Sequence, residues 1–525
     1  MTKPSFIVTL PPPTPNGGLH VGHLSGPFLA SDVFTKAQRL AGAATFVTSY
    51  SDMNQSYVRV TAERQGVDPT ALALGWSRDI LETLGTYGCD VDTFHVPDAR
   101  SNDFVRALFL RLYEAGALVR KPIPFFWSRA RGRFLDEAGV SGHCPNCLDK
   151  CKCGICEGCA QINTAETLLA PRDTLSGDTA LELRTVDVLV LETDRFRNAI
   201  ARFYAENPRF RTRYRWVVED ALRGPLPDFP VTVPGDWGIA IDHPHFPGQV
   251  VNAWAEVMAD FVFLYEQAAG SLPDGVAPRV INFFGFDNSY FYAVIHVGLL
   301  AAGGLDRWMP HATVINEFYN LDHAKFSTSA NHVIWARDLA QHHDPDLGRF
   351  YAAMNTPGFE KGNFNERDMT TVVEAKLNVP WRRLAALFNQ ALDLHGPALA
   401  APEEALLAAG RQAVRRIHES YGIERFHLRQ AAEDTLHLVG FILDRLESLS
   451  AAAEPERRFA GVAFLVQCLA AAAYPVMPRV GRDLFARVSD QPLESLDFAP
   501  AAAARALPDE LFTVPAEAKT LAGVA

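Results

Sequence analysis

Residues 11–23 read Pro11-Pro12-Pro13-Thr14-Pro15-Asn16-Gly17-Gly18-Leu19-His20-Val21-Gly22-His23, and this stretch decides the fold. The apolar run before it, residues 6–10, is typical of a buried strand, and residues 24–40 have apolar positions at helical spacing. A strand, a turn rich in proline and glycine, and a helix form the opening unit of a nucleotide-binding α/β fold. The sequence therefore predicts a phosphate-binding turn near the start of the chain.

The glycines and histidines of this stretch suit phosphate chemistry. Gly17 and Gly22 allow the backbone to approach a ligand closely, and the N-terminus of the following helix favours negative charge. His20 and His23 are three residues apart, so both fall on one face of the first helical turn. From there they can donate hydrogen bonds to a phosphoryl group during its transfer. The alternative is that one histidine caps the helix and the other is an ordinary surface residue.

A second segment, Lys325-Phe326-Ser327-Thr328-Ser329, lies about 300 residues further on, after the polar residues 320–324. A loop with a lysine and two serines can close on a triphosphate, because ammonium and hydroxyl groups both donate to its oxygens. Taken alone, the segment could equally be a solvated loop. Together and in this order, the two segments are typical of two halves of one ATP site.

Six of the eight cysteines lie in one short segment. Cys144 and Cys147 form one Cys-x-x-Cys pair, and Cys156 and Cys159 form another. This spacing predicts a knuckle that holds Zn²⁺ tetrahedrally and stabilises a small insertion without taking part in chemistry. Cys151 and Cys153, which are surplus, could replace one pair in the ligand set or remain reduced thiols under the knuckle.

Composition narrows the class of protein. A chain of 525 residues is too long for one core and indicates three or four structural units. No stretch is apolar enough to span a bilayer and no signal peptide is evident, so we expect a cytoplasmic protein with no membrane partner. The net charge of -12 argues against broad nonspecific binding of nucleic acid, although a local groove for tRNA remains compatible with it.

Several ordered landmarks resemble the class I aminoacyl-tRNA synthetases, and specifically the methionyl-tRNA synthetases. Residues 20–23 match the family's HIGH motif, and residues 325–329 lie where its KMSKS motif belongs. Trp237-Gly238-Ile239, Trp254 and Gly285-Phe286-Asp287 match in order between them. The resemblance implies an α/β fold, with a Rossmann-type parallel sheet split by a zinc-knuckle connective insertion and followed by an α-helical bundle domain.

On this basis we predict five regions. They are the first half of the Rossmann catalytic domain at 1–114, the connective insertion at 115–230, the second half of the catalytic domain at 231–315, the KMSKS-like loop and linker at 316–365, and the helical, anticodon-binding-like domain at 366–525. Within them, residues 180–192 are expected to form two short strands. The tail rich in alanine and proline after Asp497 is expected to be loosely attached.

The resemblance also implies roles for individual residues. Asp52 would hold the α-amino group of the substrate, and Asp287 would be a carboxylate on the ribose or amino-acid side. The implied catalytic residues are His20, His23, Lys325 and Ser327. The implied ATP-binding residues are Pro13, Asn16, Gly17, Gly22, Gly285, Asp287 and Ser329. The implied amino-acid-binding residues are Pro12, Asp52, Trp254, Phe261, Tyr292 and His296.

Other positions depart from the family's pattern. Thr328 replaces a second loop lysine, and losing such a charge can cost on the order of 10²–10³ in rate. Mg²⁺, expected with ATP, would then supply more of the positive charge. Tyr292 and His296 stand where the family has a histidine and a tryptophan around the methionine thioether. A more polar amino acid is therefore a plausible substrate.

A last departure concerns the final acceptor of the acyl group. No tryptophan follows Trp381, and residues 449–454 lack the aromatic side chain on which the family stacks an anticodon base. We therefore favour a ligase that passes the acyl group to a small amine or N-hydroxyamine in hydrazine-type natural-product biosynthesis, with any cupin partner on a separate chain. The alternatives are a methionine-tRNA ligase with a divergent site and a degenerate nucleotide-binding paralogue.

Overall fold

The structure, a computed structural model, describes residues 3–273, 275–326 and 332–512. Ser327, Thr328 and Ser329, which the sequence places in the lysine loop, lie outside the described residues. Within the described part of the chain, no helix combines the length and the apolar character that crossing a membrane requires.

Strands occur throughout the first 364 residues. They are β1 Ser5–Thr9, β2 Ala44–Tyr50, β3 Thr93–His95, β4 Val119–Ser128, β5 Arg133–Phe134, β6 Val140–His143, β7 Lys150–Lys152, β8 Leu169–Asp173, β9 Leu181–Leu191, β10 Phe229–Pro230, β11 Thr232–Pro234, β12 Gln249–Val251, β13 Arg279–Gly285, β14 Ala312–Asn316, β15 Tyr319–Leu321, β16 Ala324–Lys325 and β17 Gly362–Phe364.

Helices flank the sheets and make up most of the chain after β17. They are α1 Val21–His23, α2 Leu29–Leu40, α3 Ser56–Gln65, α4 Pro69–Thr86, α5 Ala99–Glu114, α6 Arg197–Glu206, α7 Thr212–Ala221, α8 Ala253–Ser271, α9 His296–Ala302, α10 Ala336–His342, α11 Pro345–Met354, α12 Glu366–Val373, α13 Val379–His395, α14 Glu404–Glu419, α15 Leu428–Glu447, α16 Pro455–Ala473 and α17 Pro478–Arg487.

A five-stranded parallel sheet, in the order β14-β13-β1-β2-β3, forms the centre of the molecule. Every residue of β1 is buried, because α2 and α8 cover the two faces of the sheet. β1 has β2 on one side and β13 on the other, although β13 follows it by some 270 residues. From β1 the strand order therefore runs outward in both directions. In such sheets, ligands bind beyond the carboxyl ends of the strands, at the point where the strand order reverses.

The insertion that splits this sheet carries two further sheets, in the orders β10-β9-β4-β5 and β7-β6-β8. With the C-terminal helices, this arrangement confirms the predicted fold class. The prediction of two short strands in residues 180–192 is wrong, since Leu181–Leu191 is one strand paired with Val119–Ser128 along its length. Only its last four residues are buried, so the charged residues before them hide the continuity of the strand in the sequence.

Residues 320–324 form part of a hairpin rather than an open loop. β15 and β16 pair antiparallel, and β15 also pairs in parallel with β17. Asp322 and His323 occupy the turn with φ of 47° and 67°, the left-handed values that a tight two-residue hairpin requires. The hairpin fixes where Lys325 leaves the sheet.

The segment after Asp497 is packed against the helical region, so the prediction of a loosely attached tail is wrong for residues up to 512. Ala504, Leu507 and Phe512 are buried in the core of the C-terminal helices. Trp381 Nε1 donates a hydrogen bond to the carbonyl oxygen of Pro508 at 2.9 Å. The apolar side chains spaced along this tail, rather than any regular helix or strand, hold it in place.

Candidate active site

The two histidines form a stacked pair at the carboxyl end of β1. His20 caps α1: its Nδ1 accepts from the backbone N–H of His23 at 3.2 Å, and His23 Nδ1 accepts from the N–H of His20 at 3.4 Å. The ring centroids are 3.6 Å apart. Burial lowers the pKa of both histidines. The pKa of His23 falls to about 4, even though part of the His23 ring is exposed to solvent.

Both rings are therefore neutral at pH 7. A neutral ring whose Nδ1 accepts a hydrogen bond carries its proton on Nε2. Each histidine thus keeps one N–H donor that the backbone does not use. The capping role considered from the sequence is real for His20, and it leaves the ring able to donate to a phosphate.

The lysine segment lies directly against this pair. The Phe326 ring stacks on His20 with centroids 4.6 Å apart, and the backbone N–H of Val21 donates to the carbonyl oxygen of Ile334 at 3.0 Å. A Cβ on Gly22 would lie 3.0 Å from the His20 ring and 3.3 Å from the Phe326 ring. The expectation that the two distant segments meet at one site is confirmed, and Gly22 allows their close contact.

A cavity of about 310 Å³ opens beside the pair. The predicted site residues that line it are Pro12, Asn16, His23, Asp52, Trp254, Asp287 and Tyr292. Three more predicted residues shape its surroundings through the backbone. The carbonyl oxygen of Pro13 accepts from Asp52 N–H at 3.2 Å, Gly17 approaches the Trp335 ring, and Gly285 ends β13 so close to Asp287 that a Cβ would lie 2.5 Å from its Oδ1.

Lys325 reaches this cavity through an acidic partner. Its ammonium group makes an ion pair with Glu157, which lines the cavity and lies between Cys156 and Cys159 in the sequence. Sequence reasoning missed Glu157, since nothing in the knuckle spacing indicates a contact with a loop 168 residues away. The ion pair holds the lysine at the edge of this cavity.

Of the residues predicted to bind the amino-acid substrate, some line the cavity and others pack behind them. Trp254 stacks on Phe291 at 4.0 Å, and Tyr292 stacks on Phe284 at 4.0 Å. His296 lies behind them, with Nε2 2.9 Å from the carbonyl oxygen of Trp254, and burial lowers its pKa to about 4. Phe261 packs edge-on against Tyr50 and does not line the cavity.

A cluster of buried acids behind Asp52 was not predicted. Glu256 and Asp260 lie four residues apart on α8 and are fully buried. Several polar atoms of this cluster have no hydrogen-bond partner among the described residues. They are both oxygens of Asp260, Oε2 of Glu256, Oδ1 of Asp52 and the Tyr50 hydroxyl. Burial raises the pKa of all three carboxyls, that of Glu256 to about 8. Two acids four residues apart, among the apolar residues of the first half of α8, were the available sequence signal.

Two further carboxyls at the cavity titrate near neutral pH. Burial, reinforced for Asp287 by the charge of Glu157, raises the pKa of Glu137 and of Asp287 to about 7. Oε2 of Glu137 accepts from Trp254 Nε1 at 2.7 Å, whereas its Oε1 has no partner among the described residues. The cavity therefore suits groups that donate hydrogen bonds or carry positive charge.

The four predicted metal ligands come together. The sulfur atoms of Cys144, Cys147, Cys156 and Cys159 all lie within 4.8 Å of one another, with 3.7 Å from Cys144 to Cys159. Four sulfurs at the usual Zn–S length would be about 3.8 Å apart in a tetrahedron, so the set fits zinc. Cys151 and Cys153 pack in the small apolar cluster next to these four, which favours the reading as thiols under the knuckle. Bound zinc would fix the fold of this insertion.

Comparisons with known proteins give a consistent family. The model of the family "tRNA synthetases class I (M)" matches residues 6–386. The methionine–tRNA ligase of Roseiflexus sp. (strain RS-1) is 29% identical over 465 residues, which are 83% of this chain and 77% of the relative. That of Roseiflexus castenholzii is 28% identical over 401 residues, or 73% of this chain and 67% of the relative.

A solved structure shares the fold. The Mycobacterium tuberculosis methionyl-tRNA synthetase bound by methionyl-adenylate superposes with a TM-score of 0.76 at 19% identity. The superposition covers 97% of this chain and all of that one. The C-terminal helices therefore belong to the shared architecture as much as the parallel sheet does.

Proposed function

The chain belongs to the class I tRNA synthetases (M), whose members are ATP-dependent ligases that form an aminoacyl-adenylate, and we propose that it activates an amino acid in this way and passes the acyl group to a small amine or N-hydroxyamine. The observation that carries the first step is the contact of the His20–His23 pair with the segment of Lys325 and Phe326 beside one cavity. We further propose that the sequence-derived site residues that line this cavity hold ATP and the amino acid there.

The chemistry of activation follows from this arrangement. A carboxylate oxygen of the amino acid attacks the α-phosphorus of ATP in line, a new P–O bond forms, and the bond to pyrophosphate breaks. His20 and His23 donate from Nε2 to the oxygens on the phosphorus, where charge builds up. Lys325 exchanges Glu157 for the phosphates when the loop closes. Mg²⁺, when bound with ATP, supplies further positive charge to the triphosphate.

The amino acid would be held by its α-ammonium group at Asp52. Asp52 lines the cavity together with Trp254 and Tyr292. Because the pKa of Asp52 is raised by burial without a cation, the arrival of an ammonium group would favour its ionised form.

A small acceptor is supported by the helical region. Residues 449–454 offer no aromatic ring on which a base could stack, and the net charge of the chain is -12. The second candidate is aminoacylation of tRNA, which the similarity to methionine–tRNA ligases over 83% of this chain favours. Any cupin partner would act on the product after the transfer.

Exchange of pyrophosphate into ATP tests the activation step. The purified chain is assayed with each of the twenty amino acids, in the absence of tRNA. We expect exchange that depends on one amino acid or a few related ones. No exchange with any of them would contradict the proposal and favour a degenerate nucleotide-binding paralogue.

A second assay separates the two acceptors. The amino acid that supports exchange is offered with ATP and either total tRNA or a panel of amines and N-hydroxyamines. Condensed product detected by mass spectrometry supports the small acceptor. Charging of methionine tRNA with methionine, without product from any amine, would support the methionine-tRNA ligase instead.

A further inference from the structure

A second and larger cavity lies next to the site just described. Its volume is about 640 Å³, twice that of the first cavity. The two cavities share three lining residues, Gln55, Glu137 and Trp254. A molecule in the second cavity would therefore lie next to a molecule in the first, with these side chains at the junction.

The wall of the second cavity is mainly apolar. Its lining includes Pro124 and Phe125 from β4, together with Val233 and Trp237. Trp237 is held in place by a hydrogen bond from its Nε1 to the carbonyl oxygen of Gln55 at 3.3 Å. Such a wall buries an apolar body of drug-like size.

The charges of this wall disfavour an anionic occupant. Four carboxylates line the cavity, those of Asp136, Glu137, Glu166 and Asp228, and none of the described lining residues is lysine, arginine or histidine. Asp136 and Asp228 are paired with Arg59 and Lys121, which lie outside the lining. A nucleic-acid end, with a phosphate at each step, would face four acidic side chains here, and the two nearby cations are already engaged by two of them. An uncharged or cationic amine meets no such repulsion.

We propose that the second cavity is the acceptor site, and that it takes a small amine or N-hydroxyamine with an apolar body. This inference rests on the proposed function and names where its second substrate binds. The aromatic and proline wall holds the body, and Glu137 and Gln55 face the reacting end. Glu137 lies at the junction of the cavities with one oxygen fixed by Trp254 and the other free of partners among the described residues.

The transfer step needs only the aminoacyl-adenylate, the acceptor and Glu137. The nucleophilic nitrogen or hydroxyl oxygen of the acceptor forms a bond to the carbonyl carbon of the aminoacyl-adenylate. The bond between that carbon and the phosphate oxygen breaks, and AMP leaves with the electron pair. The proton of the nucleophile passes to the free oxygen of Glu137.

The test fills the second cavity without touching the first. Val233→Trp places an indole in the acceptor cavity, and Val379→Trp, at an exposed position on α13, is the matched control. Each protein is loaded with the aminoacyl-adenylate of the amino acid that gives the fastest exchange. N-benzylhydroxylamine is then added, and condensed product is followed in a single turnover.

We expect saturable product formation in the wild type and in the Val379→Trp control. In Val233→Trp the second-order rate constant should fall at least tenfold while pyrophosphate exchange stays within twofold, which shows that the variant is folded and activates its amino acid. Glu137→Gln should slow the single turnover at least tenfold at saturating probe.

The possible outcomes distinguish a failure of the acceptor site from a failure of the proposed activation. Equal product formation in Val233→Trp and wild type, with exchange intact in both, would overturn the acceptor site and leave activation standing. Product formation no faster than the uncatalysed reaction in wild type would overturn it as well. A wild type with no exchange would refute the proposed function before any acceptor is added.

Discussion

At the scale of single residues, the proposed activation depends on a pair of neutral imidazoles and one lysine. His20 and His23 use Nδ1 to fix each other's backbone, so their remaining donors have a set direction. Lys325 waits in an ion pair with Glu157. Donors positioned before the reaction stabilise developing charge without reorganisation, which is the reason to expect large effects from small changes here.

Replacing either kind of donor should slow activation. We predict that His20→Ala and Lys325→Ala each lower the rate of ATP–pyrophosphate exchange at least tenfold, or about 1.4 kcal/mol or more in the barrier. Lys361→Ala, an exposed lysine just before β17, is the control and should keep the wild-type rate. Wild-type exchange in both active-site variants would refute these roles.

The buried acids predict how stability changes with pH. Glu256 has a pKa of about 8 in the folded chain and an ordinary value near 4.5 when unfolded, so the folded state holds the extra proton between these values. The free energy of unfolding should therefore fall as pH rises from 5 to 8, by an amount on the order of a few kcal/mol.

Glu256→Gln removes this titration and should flatten the fall. Urea unfolding at pH 5 and pH 8 measures it, with Glu404→Gln, an exposed glutamate on α14, as the control. A variant that loses as much stability over this range as the wild type would show that Glu256 does not hold its proton.

Site residues differed in how far the sequence could reveal them. His20, Lys325 and the four knuckle cysteines follow from motif and spacing, because a local pattern carries their chemistry. Glu137, Glu157 and Asp260 act only through contacts with distant parts of the chain. No local pattern records such contacts, so the structure was needed to find them.

At the scale of elements, the knuckle is the clearest case for a direct assay. We predict about one zinc per chain as purified. Cys156→Ser should lose most of this zinc, because it removes one of four converging sulfurs. Elemental analysis after dialysis measures the content.

Cys153→Ser is the matched control, since this residue lies in the same segment but outside the four-sulfur group. It should retain the metal. Equal loss of zinc from both variants would show that the surplus cysteines take part in binding.

The wrong predictions for residues 180–192 and for the tail after Asp497 share one cause. Residues 181–191 are mostly solvent-exposed along one half, so their charges hide a strand whose partner lies 60 residues earlier. The tail up to Phe512 is irregular, so it has no period, yet its spaced apolar side chains fill a core built by other helices. Periodicity predicts elements that are regular and half-buried, and fails where a distant partner decides.

At the scale of the whole molecule, one buried guanidinium joins the sheet layer to the C-terminal helices. Arg349 on α11 donates to Asp32 Oδ2 at 2.6 Å and to the carbonyl oxygens of Tyr87, Pro475 and Val476 at 2.7–3.0 Å. Both members of the ion pair are fully buried. The five regions drawn from the sequence remain predictions, but this guanidinium, which belongs to 316–365, contacts residues of both 1–114 and 366–525.

Removing the guanidinium should leave buried Asp32 with Lys36 as its remaining ion-pair partner and should take away the donor of three carbonyl oxygens. We predict that Arg349→Ala lowers the free energy of unfolding by about 3–5 kcal/mol, measured by urea denaturation. Arg367→Ala, exposed at the start of α12, is the control. A loss below about 1 kcal/mol would mean that the helical region is coupled to the sheet in another way.

A crystal structure of the chain with ATP and Mg²⁺ bound tests the central claim most directly, namely that the histidine pair and the lysine loop hold one nucleotide between them. We predict a single ATP whose phosphates contact His20 or His23 on one side and Lys325, released from Glu157, on the other. An ATP that binds elsewhere, or one that contacts the histidines while the Lys325–Glu157 ion pair stays intact, would contradict it.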